Sequence, residues 1–228
     1  MSLAEDPLVN RFVRVNVLVE GTTEETFVRD LLAPELSKQG IYLTARSLGG
    51  VTKYQYITKE IKRWLKQDDF AYVTTMIDFY GFPSDCPHQS SAKTVNDTYK
   101  QVENLEMEIA QEIESSFPNQ QTRFIPYLQL HEFEALLFVD IEKIDQALKI
   151  KMGDSRLTDL RNIKNQFSTP ELINNGRTTA PSKRLISLYP FYQKAFFGPI
   201  IAKDIGLPRL RADCAHFNSW VEKLLQLK

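Results

Sequence analysis

Along the first 140 residues, apolar β-branched runs alternate with stretches whose apolar positions recur every three or four residues. Phe12 to Val19 (FVRVNVLV) reads as a strand, and Thr23 to Lys38 as a helix with Phe27, Val28, Leu31, Leu32 and Leu36 on one face. A short strand around Ile41 to Leu48 stops at Gly49-Gly50, and Tyr54 to Lys66 has helical spacing through Tyr54, Ile57, Ile61 and Leu65. Phe70 to Asp78 is a third strand, Thr94 to Phe117 a long amphipathic helix through Val102, Leu105, Ile109 and Ile113, and Arg123 to Leu130 a fourth strand. The order βαβαβαβ predicts an α/β fold with a mainly parallel sheet covered by helices on both faces. After Asp140 the pattern turns helical and irregular, with Pro170, Pro181, Pro190, Pro199 and Pro208 cutting it into short pieces. The expected organisation is an α/β domain over residues 1–140 and a helical lobe over residues 141–228, packed together as one structural unit. The opening MSLAEDP is left out of the fold as a tag scar or loose leader.

Charge changes this picture. The net charge of −1 conceals a split: residues 1–140 hold 13 Lys+Arg against 21 Asp+Glu, a net −8, and residues 141–228 hold 15 against 8, a net +7. An acidic part can gather cations and a basic part beside it can gather phosphates; equally, two oppositely charged faces can simply hold each other together. With 43% hydrophobic residues the chain can bury a full core. No apolar run approaches the roughly 18 residues that a membrane span needs, so no membrane association and a cytoplasmic location are expected. Two cysteines, Cys86 and Cys214, fit a reducing compartment and exclude a disulfide scaffold.

The stretch VLVEGTTEETFV, Val17 to Val28, ends its strand in Glu20 and follows it with Glu24 and Glu25. In open α/β sheets the working site lies at the carboxyl ends of the strands. Three groups of acids are expected there: Glu20 and Glu24 after the first strand, Asp78 after the third, and Glu132 and Glu134 after the fourth. Converging carboxylates repel unless a cation neutralises them, and hard oxygen ligands with few histidines favour Mg²⁺ or Mn²⁺ over zinc. Each acid also has a structural reading. Glu25, three residues after Thr22, suits a capping box, Glu24 gains from the helix dipole, Asp78 can start an Asx turn, and Glu132 or Glu134 can be solvated surface.

V-E-G-T-T-E after the first strand and I-D-F-Y-G-F after the third resemble the TOPRIM fold, the metal-binding domain of topoisomerases, primases and overcoming-lysogenization-defect nucleases. With L-H-E-F-E-A-L-L-F, A-P-S-K-R-L, G-P-I-I-A-K and C-A-H-F-N-S-W, the chain is similar from about Val13 to Leu225 to the bacterial and archaeal family called domain of unknown function 4276, grouped with TOPRIM. The resemblance implies a TOPRIM-like sheet with a C-terminal helical lobe. It makes Glu20 the leading metal-associated acid and general acid/base, gives Glu24 to a second metal, and makes Asp78 the first acid of an aspartate-x-aspartate element. Position 80 is Tyr, so the second aspartate is missing and Glu132 or Glu134 has to replace it. The nuclease branch also uses a later acid and a lysine near the scissile phosphate, expected at Glu134 and Lys183, with Arg184 and Lys203 as further phosphate contacts. The implied activity is two-metal phosphodiester cleavage, the ions about 4 Å apart. Binding would be driven by the nucleic-acid backbone, since no zinc-finger, helix-turn-helix or stacking signature is visible.

Other constellations compete. Cys86-Pro-His88 and Cys214-Ala-His216 form two Cys-x-His pairs, but their one-residue gap departs from usual zinc spacing, and Cys214 reads better as a small buried hydrophobe. His131 beside Glu132 is a candidate ligand or proton carrier or a structural histidine, and His216 lines or caps the last helix. The aromatic set Tyr189, Phe191, Tyr192, Phe196 and Phe197, with Trp64 and Trp220, reads as core. A phosphoacceptor receiver domain fits poorly, for want of paired acids after the first strand and of a fifth strand. The non-enzymatic alternative is a catalytically inactive TOPRIM-like protein-interaction module. No G-x4-G-K-[ST] loop occurs in these residues, so an ATPase would act as a separate partner, in an anti-phage or mobile-element setting. A dimer is compatible with this reading.

Overall fold

A computed structural model describes residues 12–50, 53–89, 96–118, 123–173, 176 and 178–227. The sheet is built from β1 (Val13–Val19), β2 (Ile41–Ser47), β3 (Tyr72–Asp78) and two short pieces, β4 (Phe124–Ile125) and β5 (Leu128–Gln129). Their order is β2-β1-β3-β4, with β5 also on β3, and every pairing is parallel. β1 has a neighbour on each side and is buried almost throughout, which is why it reads as a continuous apolar run rather than an alternating one.

Helices cover both faces. On the first face, Val15, Val17, Val19 and Met76 join one core with α1 (Thr22–Phe27), a π-helical turn (Val28–Leu32), α2 (Ala33–Ser37) and most of the C-terminal helices. On the second, Leu18, Val73 and Ile77 pack under α3 (Tyr54–Gln67) and α4 (Thr98–Ser115). The C-terminal region runs from a 3-10 segment (Phe133–Val139) through α5 (Ile141–Met152), α6 (Leu157–Lys164), a 3-10 turn (Pro170–Leu172), α7 (Pro181–Leu188), α8 (Lys194–Ile205), α9 (Leu207–Asp213) and α10 (Ala215–Leu225). Its side chains Leu185, Ile201, Phe217 and Trp220 belong to the same core as β1. The arrangement is a mostly parallel sheet flanked by helices with a C-terminal helical region, consistent with a TOPRIM-like α/β fold. Among the described residues no helix is long and apolar enough to cross a membrane.

Three local expectations differ from the structure. The fourth strand is two pieces, because Pro126 between them has no N–H for the ladder. Thr75 fills the gap: its hydroxyl donates to Tyr127 O at 2.8 Å and accepts from Tyr127 N at 3.0 Å. Pro199 does not cut the chain but lies inside α8, where Ala195, whose carbonyl loses its partner, is exposed to water. Finally, Glu24 rather than Glu25 closes the first helical turn, accepting from Gly21 N–H at 3.2 Å. Part of the expected helix start near Thr94 falls outside the described residues.

Candidate metal centre

The strand ends deliver their acids to one place. Glu20 follows β1 and is half-buried, and Glu24 comes one turn into α1 and is buried. Asp78 is the last residue of β3, on the same face as Val17 and Val19, since Val19 pairs with Met76. Beyond β5, His131 takes a left-handed backbone (φ 60°), and its carbonyl accepts from Tyr80 N–H at 2.9 Å. That turn swings Glu132 and the 3-10 segment back over β3, where Phe133 N–H donates to Asp78 Oδ1 at 2.8 Å. Glu134 is thereby fully buried beside Asp78. Glu132 points its other way, with Oε2 accepting from Ser182 N–H at 2.9 Å in the first turn of α7.

The cation among these acids is Lys194, the first residue of α8. Its Nζ lies 2.8 Å from Asp78 Oδ2, 3.4 Å from Glu24 Oε1 and 3.4 Å from Glu134 Oε2. Tyr192 OH, two residues earlier, donates to Glu134 Oε1 at 3.5 Å. Gly198 lets α8 come this close: a Cβ there would lie 3.0 Å from the Phe133 ring, 3.4 Å from Thr23 and 3.4 Å from the Tyr192 hydroxyl.

Burial shifts Glu134, Asp78 and Glu20 against the pull of the one ammonium. Burial pushes Glu134 up to about 7, opposed by Lys194 and reinforced by Glu132 and Glu24. Burial likewise holds Asp78 well above the ordinary carboxylate range despite Lys194, and raises Glu20. Burial alone would lower Lys194, but Asp78, Glu134 and Glu24 outweigh it and keep the ammonium charged. His131 is pushed down to about 4 by burial and stays neutral at neutral pH.

As the side chains stand, no three His, Cys, Asp or Glu among the described residues are disposed as a metal-ligating group, and the centre is organised around the ammonium. Yet Glu20 Oε2 is buried without a hydrogen-bond partner among the described residues, and Glu24 Oε1 and Glu134 Oε2 have only the Lys194 ammonium, at 3.4 Å each. Buried carboxylate oxygens in that condition are costly, and a hard divalent cation is the partner that an all-oxygen set of this kind suits. As a donor set, though not in their present disposition, the carboxylates are of the kind that suits Mg²⁺ or Mn²⁺. Tyr80, at the place of the missing aspartate, is 45% exposed, and the carboxylates that act on Asp78 are those of Glu24, Glu134 and Glu20.

Of the basic residues expected here, Lys183 follows Ser182, whose N–H meets Glu132, and makes no ion pair with the carboxylates among the described residues. Lys183 is exposed on α7, and Lys203 is exposed in the last turn of α8. Arg184 donates to Thr179 O at 2.7 Å and stacks over Phe167. Lys194, which sequence reasoning did not single out, is the lysine that contacts Glu24, Asp78 and Glu134. A signal was present: a lysine opening a helix opposes the helix dipole and needs acids nearby to hold it. The two Cys-x-His pairs do not meet. Cys86 packs in the second-face core and Cys214 in the first, both as free thiols. His88 lies 3.1 Å from Glu108 and Glu112, and His216 Nε2 lies 3.0 Å from Glu106, away from the carboxylate centre.

In shape, the chain is similar to the C-terminal region of the Xanthomonas campestris pv. campestris OLD protein. The crystal form phased with iodine is 17% identical with a TM-score of 0.47, covering 94% of this chain and 95% of that one. The form phased with mercury is 16% identical with a TM-score of 0.42, covering 93% and 98%. No curated protein matches the sequence. A family model does match, over residues 19–225, a span that opens one residue before Glu20 and takes in every carboxylate of the centre and Lys194. The chain accordingly belongs to the family described as domain of unknown function 4276.

Proposed function

We propose that the protein is a Mg²⁺- or Mn²⁺-dependent phosphodiester hydrolase acting on nucleic acid. The observation that supports this reading is the convergence of carboxylates from three strand ends around Lys194, with Glu20 Oε2 left without a hydrogen-bond partner among the described residues. Glu20, Glu24, Asp78 and Glu134 would hold the cation, and Glu132 would brace α7 against the same corner. When bound, such a cation lowers the pKa of water and withdraws charge from a phosphate oxygen. Glu20, half-buried and raised by burial, is placed to take the proton of an attacking water. Lys194, held by carboxylates on one side and 34% exposed on the other, is placed to face phosphate charge as it builds. Lys183, Arg184 and Lys203 remain proposals as outer backbone contacts, and His131 and His216 are given no catalytic part.

A second reading has its own support. Lys194 already neutralises part of the cluster, which is what an inactive TOPRIM-like interaction module would need. In either case an ATPase would be a separate partner in the cytoplasm, in a defence or mobile-element setting, with a dimer compatible. Calorimetry with Mn²⁺ on wild type and Glu20→Ala, with cleavage of plasmid and single-stranded DNA by the same preparations, separates the two. Metal binding and cleavage that both depend on Glu20 support the hydrolase. A folded wild type without binding at millimolar Mn²⁺ leaves the interaction module.

A further inference from the structure

Parallel sheets are normally covered on both faces, but here the second face is covered only in part. Among the described residues, α3 and α4 lie over β1 and β3 and leave the second face of the edge strand β2 open: Tyr42 is 51% exposed and Thr44 is exposed. The result is a groove of about 620 Å³ between α3 and β2, lined by Phe12, Arg14, Asn16, Tyr42, Arg46 and Trp64 among others. A second hollow of about 300 Å³ shares Arg46 and Trp64 with it and continues to Leu48 and Glu25, the neighbour of Glu24. The two together follow β2 over its seven residues, about 20 Å at 3.3 Å per residue, from the start of the strands to the edge that holds the carboxylates.

The lining combines arginines and open rings with three acids: Arg14 pairs with Asp68 at 3.1 Å and Arg63 with Glu60 at 2.6 Å, Glu25 lines the second hollow, and Arg46 donates to Asn16 Oδ1 at 3.4 Å. The Arg46 and Arg63 guanidinium groups lie 4.4 Å and 4.9 Å from the Trp64 ring, which fixes both long side chains against one surface. Phe12 and Tyr42 meet edge to face at 6.1 Å, and their rings are largely open to solvent. Beside the groove, α3 also presents Lys59, Lys66 and Lys62, the last 3.9 Å from Glu112, while Arg63 and Glu60 line the second hollow. This is a local excess of positive charge inside the half of the chain that is acidic overall.

We infer that this groove binds a single strand of nucleic acid and leads it to the carboxylate centre. The inference rests on the hydrolase reading for what happens at the end of the groove, but the binding itself does not. Arginines with exposed rings suit a strand whose phosphates are neutralised and whose bases stack, whereas a duplex offers its bases no access to Tyr42 or Phe12. The bare edge of β2 has another conceivable occupant, a strand from a second copy of the chain, which would be read out as oligomeric state.

The test is fluorescence anisotropy with a labelled oligothymidylate about 20 nucleotides long, in EDTA so that no cleavage intervenes. Wild type is compared with Arg46→Glu and with Tyr42→Ala, whose exposed ring carries little of the fold. Mn²⁺ calorimetry and sedimentation are run on the same samples. Both variants are expected to lose about tenfold or more in affinity, with a shallower salt dependence for Arg46→Glu and unchanged Mn²⁺ binding. Unchanged affinity in Tyr42→Ala and Arg46→Glu overturns the proposal, as does a change in oligomeric state without a change in oligonucleotide binding. Failure of wild type to bind Mn²⁺ would remove the hydrolase reading alone, because the loss at Tyr42 is measured without metal.

Discussion

Lys194 Nζ and Asp78 Oδ2 lie 2.8 Å apart across 116 residues of sequence. The contact joins the end of a central strand to the start of a helix in the C-terminal region, and it places one positive charge among acids that would otherwise repel.

Replacing that charge should expose the repulsion. Lys194→Met keeps much of the side chain's bulk and removes the cation from Glu24, Asp78 and Glu134. Breaking a fully buried pair costs about 3–5 kcal/mol; with the lysine 34% exposed, water screens the site, and about 1–3 kcal/mol is expected. Urea denaturation with and without Mn²⁺ checks it. The loss should be largest without metal and mostly recovered with it. A variant as stable as wild type would mean that the carboxylates are protonated and the lysine is not neutralising them.

Acidity gives a second handle. Glu134 is raised to about 7 from an ordinary 4.5, so the folded protein holds a proton that the unfolded chain releases. Its contribution is complete below about pH 4.5 and fades as pH rises to about 7, by up to about 3 kcal/mol. Metal-free stability should therefore decline over that window, and Mn²⁺ affinity should climb over it as the proton is displaced. Denaturation between pH 5 and 8 on wild type and Glu134→Gln measures this, the variant being expected to show a flatter profile.

What could be read from the sequence follows distance along the chain. Glu20, Glu24 and Asp78 were legible because each sits within a few residues of a strand end, and the parallel order alone brings strand ends together. Glu134 was legible as a candidate, but its burial depends on the left-handed turn at His131, which no residue preference announces. Lys194 was not. Its place is set by how α8 packs across α1, a tertiary contact that periodicity cannot see, and the motif-bearing Lys183 was the nearer choice. The break at Pro126 was readable in principle, since a proline inside a strand has no N–H to give and argues against one continuous ladder.

Gly198 controls that packing. An added Cβ would press on the Phe133 ring at 3.0 Å and on Thr23 and Tyr192 at 3.4 Å. Alanine is intrinsically better in a helix by about 1 kcal/mol, whereas overpacking costs about 1–3 kcal/mol. The two nearly offset for Gly198→Ala, and the larger Gly198→Val should lose clearly. Thermal melts give the stability, and Mn²⁺ calorimetry shows whether Lys194 has shifted. Valine at no cost would mean that α8 and α1 have slack between them.

A polar weld far from the carboxylates should behave in the opposite way. Glu171 is fully buried; its carboxylate accepts from His216 N–H at 3.1 Å and Phe217 N–H at 2.9 Å, in the first turn of α10, and from Tyr99 OH at 2.9 Å. It thereby ties the last helix to α4. Glu171→Ala leaves two buried backbone donors without a partner, each costing about 1 kcal/mol or more, and takes one of two partners from the half-buried Tyr99, which also meets Thr169, so a loss of about 2 kcal/mol is expected. Because no atom of this network touches Glu20, Glu24, Asp78 or Glu134, Mn²⁺ affinity should not change in the fraction that remains folded. Denaturant titration paired with calorimetry decides it: a stable Glu171→Ala protein would show that water replaces the carboxylate, and weakened metal binding would show that α10 helps to position the strand ends.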